Sequence, residues 1–188
     1  MNVADGTIIY LVRHGEAAAK WGDNPDPGLS ELGARQALAA ADILRSMSLP
    51  PAHIITSPLR RARETAAPYA MQLGKTPTVD PVFRELPSPV ALDQRAQWIQ
   101  SFMTQRWNEQ NEDITRWRSI LLQQLTQLTG SVAIFTHFVV INAVVAHVMD
   151  CPDTLCVMPA NGSVFTFAVT DGVLSHVHSG TQQASVVN

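Results

Sequence analysis

The apolar positions fall into short runs with no polar gap and longer stretches with helical spacing. Thr7 to Val12 is a β-rich run apolar on both faces, which predicts a buried strand. Gly15 breaks it, and residues 17–28 read as a loop whose turn chemistry comes from Trp21-Gly-Asp-Asn-Pro-Asp-Pro-Gly28. Ser30 is a predicted N-cap. Leu32, Ala37, Leu38, Ala41, Leu44 and Met47 then recur at helical spacing, and Pro50-Pro51 stops the helix. His53–Thr56 is a second short strand, closed by Ser57-Pro58. The following helical stretch contains Pro68, where a break or kink is expected. Val79–Phe83 reads as a short third strand, 87–91 as a Pro-rich loop, and Leu92 to Leu128 as two Gln- and Trp-rich helices ended by Gly130. Residues 131–137 form another buried strand, and an apolar helix starts at Phe138. The tail reads as two strands joined through Thr170-Asp171-Gly172.

This order predicts an α/β layered fold whose sheet is mixed at an edge built by the C-terminal hairpin. Three apolar strands end in polar groups: Arg13-His14, Ser57 and His137. Ligands of open α/β sheets bind beyond the carboxyl ends of the strands, so these three ends are predicted to meet in one pocket.

Composition narrows the partners. The chain has 188 residues, 46% hydrophobic and 15% charged, with a net charge of -3, which fits one globular domain and implies no basic face for nucleic acid. No run reaches the ~20 apolar residues that cross a bilayer. The N-terminus lacks the charged and apolar regions of an export signal. Cys151 and Cys156 match no metal or redox spacing and read as two small, partly buried thiols. The expectation is a soluble cytoplasmic protein with no metal and no cofactor.

The candidate chemistry lies at the strand ends. Arg13 is a fixed fork of donors suited to phosphate, His14 can be a neutral nucleophile near pH 7, and Gly15 lets an anion approach the backbone. Arg60, Arg61 and Arg63 crowd a helix N-terminus, where cations oppose the helix dipole unless an anion lies there; at least one of the three reads as plain surface charge. His137 ends a buried strand, and Glu85 follows an apolar segment.

These segments together resemble the histidine phosphatase superfamily, in its phosphoglycerate mutase-like branch. The resembling stretches are Leu11-Val-Arg-His-Gly-Glu16, the segment with Asp26, Leu29, Gly33 and Gln36, Ser57-Pro-Leu-Arg-Arg-Ala-Arg-Glu-Thr-Ala66, Phe83-Arg-Glu-Leu-Pro87, the strand end at His137, and Asn161. The resemblance implies a three-layer α/β/α sandwich with a mostly parallel sheet, residues 87–130 forming a small helical cap. It also implies a metal-independent phosphatase in which His14 becomes phosphorylated. Arg13, Arg61 and His137 would hold the phosphoryl oxygens, and Glu85 would be the general acid and base; Glu64 and Glu16 are alternative acids that read better as structural. Two arginines and a protonated His137 would balance a dianion. The sequence departs from the family pattern at Ala17, Lys20 and Phe138. Lys20 either reaches phosphate as a point charge or is an ordinary surface lysine. Phe138 replaces a glycine and is expected to narrow the pocket. His53, His147, His176 and His178 read as structural, and Trp98, Trp107 and Trp117 as cap packing. The expected partner is a small phosphorylated molecule or a phosphoprotein, with oligomeric state open. A phosphoglycerate-type mutase and a phospholigand-binding protein without turnover are the alternatives.

Overall fold

The computed structural model describes residues 6–19 and 24–182. Lys20, part of the 17–28 loop and the N-terminal segment read above against an export signal lie outside the described residues.

β1 (Thr7–Arg13) and β4 (Ser131–Thr136) run parallel in the middle of a six-stranded sheet. β2 (His53–Thr56) and β3 (Thr78–Val79) extend it in parallel on one side. β5 (Val164–Thr170) and β6 (Val173–His178) form the antiparallel hairpin on the other, giving the order β3-β2-β4-β1-β5-β6. Only β5 runs against the rest.

Both faces of the central strands are buried, as a run without polar gaps requires. Ile9, Leu11, Val132 and Ile134 join one apolar cluster, while Tyr10, Val12, Ala133 and Phe135 join another. The second cluster takes α1 (Glu31–Ser46) through Ala40, Ala41 and Leu44, and α2 (Arg60–Leu73) through Ala66, Tyr69 and Ala70. The first takes α3 (Arg95–Phe102), α4 (Glu112–Thr126) and α5 (Phe138–Val148). Each fully buried Leu, Ile or Val contributes roughly 1.5–3 kcal/mol. The fold is therefore α/β, with helices on both sides of one sheet. Leu121 and Leu125 of α4, and Phe102 and Trp107 before it, share their cluster with β1, β4 and α5, so these side chains of the 87–130 segment pack against the main body.

Local signals account for the boundaries. The Ser30 hydroxyl accepts the Gly33 N–H (3.0 Å) and starts α1. Asn111 caps α4 by accepting the Ile114 N–H. Three expectations are corrected. First, α2 runs on without a break through Pro68 to Leu73, because a ring that lacks one N–H is tolerated where Ala66, Tyr69 and Ala70 hold the helix against the sheet. Second, the segment 79–83 is mostly a 3-10 turn, Pro81–Phe83, since the Asp80 carboxylate accepts the Val82 N–H and Pro81 sits at the first position.

Third, Cys151 and Cys156 form a disulfide. The turn between them brings the sulfurs together, and two backbone N–H groups, of Cys156 and Val157, donate to the buried Asn142 Oδ1. Such bridges persist mainly in oxidising compartments, which removes one support for a cytoplasmic location. Among the described residues no helix is long and apolar enough to cross a membrane. Reducing this bridge is expected to lower stability by about 2 kcal/mol, as closing a loop this short implies. Calorimetry with and without a reducing agent should show a melting point lower by roughly 4–8 °C.

Gly15 and Gly33 lie back to back. A Cβ on Gly15 would meet the Gly33 carbonyl, and one on Gly33 would meet the Glu16 backbone. This close crossing presses the turn after β1 onto the first turn of α1. Gly33→Ala is expected to destabilise the fold by about 1–3 kcal/mol through overpacking, measurable as a shifted urea midpoint.

Candidate active site

The parallel register decides where the polar strand ends meet. Arg13 pairs with Thr136 and Thr56 with Phe135, so His14, His137 and Ser57 follow at neighbouring strand ends. The His14 N–H donates to the Thr136 carbonyl and the Ser57 N–H to the Phe135 carbonyl. The rings of His14 and His137 stand 5.1 Å apart, centroid to centroid.

His14 is buried, and its two ring nitrogens are in different states. Nδ1 lies 2.7 Å from the Gly15 carbonyl, an acceptor, so Nδ1 carries the proton. Nε2 accepts the Arg61 Nε–H at 3.1 Å and therefore holds a lone pair. Burial, then the charges of Arg61 and Arg13, push the imidazole well below its ordinary range, so it is neutral. The main chain is fixed on three sides. The Gly15 N–H donates to Thr65 Oγ1 (3.0 Å), the Glu16 N–H to Gln36 Oε1 (2.7 Å), and Asn161 Nδ2 to the His14 carbonyl (3.0 Å).

Arg61 sits in the first turn of α2 and is buried, whereas Arg60 and Arg63 are exposed. Two of the three arginines are thus surface charge, and Arg60 pairs with Glu64 at 2.6 Å. The anion that answers the helix dipole is Asp26, whose carboxylate accepts the Arg60 N–H (2.7 Å). Glu64 also accepts the Leu29 N–H (2.6 Å), so the 26–29 loop is clamped to the helix that carries Arg61.

Arg13 is buried, and its Nη1 donates to the Pro159 carbonyl (2.6 Å). Its guanidinium lies 5.0 Å from the Phe138 ring centroid. Desolvation lowers it to about 10, with Glu85 opposing, and it stays charged at neutral pH. Phe138 is buried at the start of α5, where it belongs to the apolar core and also meets the Arg13 guanidinium.

Glu85 is buried and accepts the Leu86 N–H (3.1 Å) and the Val139 N–H (3.2 Å). It thereby serves the open N-terminus of α5, whose N-cap residue His137 makes no side-chain cap. Burial raises its carboxyl above the ordinary range, and Arg61 pulls the other way. Of the rival acids, Glu64 is tied to Arg60, and Glu16 accepts the hydroxyl of Ser30 (2.7 Å).

His137 is fully buried, with Nε2 2.7 Å from the Ser57 hydroxyl. Burial and the nearby arginines hold it well below its ordinary range, so the protonated histidine expected from sequence is a neutral ring in the free protein. The structure thus brings together Arg13, His14, Arg61, Glu85 and His137. Ser57, a polar strand end in the sequence, joins them through its hydroxyl. Thr65 was not singled out, its signal being a small hydroxyl residue beside a charged one, too common to stand out.

Among the described residues no group of three or more His, Cys, Asp and Glu side chains is placed to hold a metal. His176 packs on Phe167, and Trp98, Phe102 and Trp107 stack on one another. A hollow of about 520 Å³ lies at the amino ends of β2 and β4, lined by His53, Lys75 and Leu128 among others, away from the paired imidazoles.

An α/β sheet with two imidazoles, two guanidinium groups and a protonatable carboxyl at its strand ends has relatives. The histidine phosphatase superfamily (branch 1) matches residues 9–179, and the chain belongs to that superfamily. It is 42% identical over 82 residues to the probable phosphoglycerate mutase GpmB of Yersinia pestis, an alignment that covers 42% of this chain and 37% of that relative. Among solved structures it is similar to the phosphoserine phosphatase of Entamoeba histolytica in complex with 3-phosphoglyceric acid. That match has a TM-score of 0.73 at 20% identity and covers 94% of this chain and 98% of the other. It is also similar to the mycobacterial glucosyl-3-phosphoglycerate phosphatase complexed with VO3 (TM-score 0.62, 23% identity, 85% and 92% covered). At such identities these likenesses establish the fold.

Proposed function

We propose that this protein hydrolyses phosphate monoesters through a phosphohistidine on His14. The observation that carries the reading is the state of that ring: Nδ1–H tied to the Gly15 carbonyl, and an unprotonated Nε2 facing Arg61. A neutral imidazole with its lone pair toward a cationic wall is set to attack phosphorus. Nε2 attacks in line, the P–O bond to the leaving group breaks, and the departing oxygen takes the Glu85 proton. The Glu85 carboxylate then takes a proton from water, whose oxygen attacks phosphorus. The N–P bond breaks, orthophosphate leaves, and the Nε2 lone pair returns. Arg13, Arg61 and neutral His137 supply donors to the phosphoryl oxygens throughout, and this fixed electrostatic cradle is what phosphoryl transfer mainly demands.

The substrate class is a small phosphorylated molecule or a phosphoprotein. The identity to probable phosphoglycerate mutases supports a second reading, transfer of the phosphoryl group back to a bound intermediate in place of water. Supplying 3-phosphoglycerate with a bisphosphate primer, alongside a panel of sugar phosphates, nucleotides and a phosphohistidine peptide, separates the two. Release of orthophosphate without isomerisation is the expected outcome. Isomerisation outpacing release would establish the mutase, and neither reaction would leave a phospholigand-binding protein.

A further inference from the structure

Ser57 directly follows β2 and is fully buried. Its hydroxyl oxygen accepts the Leu59 N–H (3.2 Å) and lies 2.7 Å from His137 Nε2. Leu59 fills one lone pair of the hydroxyl oxygen, and among the described residues Nε2 is the one acceptor within hydrogen-bond distance of its proton; donation to the lone pair of Nε2 keeps that buried proton paired. A neutral imidazole that accepts at Nε2 carries its hydrogen on Nδ1. Nδ1 of His137 is itself buried, with no hydrogen-bond partner among the described residues. Its ring stands against His14. A buried N–H without an acceptor is unusual enough in folded proteins to call for an explanation, and a bound anion oxygen is one.

We propose that Ser57 is a positioning residue that fixes His137 in its Nδ1–H tautomer, so that the neutral ring offers a ready donor to a phosphoryl oxygen. The identity of that acceptor rests on the phosphate-ester reading above; the tautomer does not. Without the hydroxyl, Nε2 loses its donor, and the ring is free to place its proton on either nitrogen. Threonine keeps the hydroxyl.

The test is a long-range proton–nitrogen NMR correlation on protein labelled with nitrogen-15 histidine, the His137 signals being identified by their loss in His137→Asn. Wild type and Ser57→Thr should show a protonated Nδ1 and a bare Nε2, and Ser57→Ala a mixture of both forms. Titration with inorganic phosphate should show affinity weakened about fivefold to tenfold in Ser57→Ala and kept within about twofold in Ser57→Thr, the loss of one prepared hydrogen bond. A proton on Nε2 in the wild type, or an unchanged tautomer in Ser57→Ala, overturns the inference. If Ser57→Ala does not fold, wild type and Ser57→Thr still decide the tautomer. A protein that turns over no phosphate ester but keeps the tautomer pattern and binds phosphate would sink the phosphatase reading and leave this inference standing.

Discussion

Alanine at position 14 is expected to remove phosphoenzyme formation altogether and to slow hydrolysis of p-nitrophenyl phosphate by about 10⁴-fold or more, the scale set by loss of a covalent nucleophile. The fold should survive, because among the described residues the His14 side chain bonds only to the adjacent Gly15 carbonyl and to Arg61. The main-chain ties to Thr136 and Asn161 do not involve the ring. Two measurements check this. Rapid quench of wild type with radiolabelled substrate should trap a phosphate that is labile to acid and stable to base, and the variant should trap none. Phosphate should still bind the variant, since Arg13, Arg61 and His137 remain. Turnover at the wild-type rate would show that the imidazole is not the nucleophile.

Glu85→Gln carries the second large effect. The first chemical step needs the acid form of this carboxyl. Burial raises its proton affinity above the ordinary range, so a larger fraction is protonated near neutrality than in an exposed glutamate. As pH rises through the raised value, the proton is lost and kcat/KM should fall. Glutamine cannot donate, and that alkaline limb should vanish. For alkyl phosphates the loss should be on the order of 10²- to 10⁴-fold. For p-nitrophenyl phosphate it should be much smaller in the first step, because nitrophenolate leaves without a proton. Phosphoenzyme should then accumulate, since no base activates water. Equal losses in kcat/KM, which reports the first step, with both leaving groups would point to another acid. Stability should move the other way. Between the ordinary carboxyl value and the raised one the native state holds more protons than the unfolded state, so wild type loses stability as pH rises through that window. Glu85→Gln lacks that loss, and its melting point relative to wild type should improve with pH.

Strand ends were the legible part of the chain. An apolar run that stops abruptly at Arg13-His14, or at His137, says both that a strand is buried and that its last residue faces something polar. Parallel pairing turned those separate endings into one site. The helices were legible from spacing and from Ser30. What escaped the sequence depends on tertiary context. Pro68 breaks an isolated helix and is carried by one packed against a sheet. The two cysteines match no motif spacing, yet the turn between them is closed by Asn142, fourteen residues before Cys156. The charge state of His137 could not be read from residue type, because burial beside the neighbouring arginines decides it. The resemblance of motifs selected Arg61 over Arg60 and Arg63; the physical reason, burial of one and exposure of the others, emerges only in the folded chain.

The sheet order bears on how long the site outlives damage elsewhere. β1 and β4, which carry the two imidazoles, are hydrogen-bonded on both flanks, while β3 and β6 each have one neighbour. Transient opening begins at such margins. The molecule can therefore fray at either rim and close again while the paired rings at its centre keep their spacing, so that separation of the two rings coincides with loss of the whole fold.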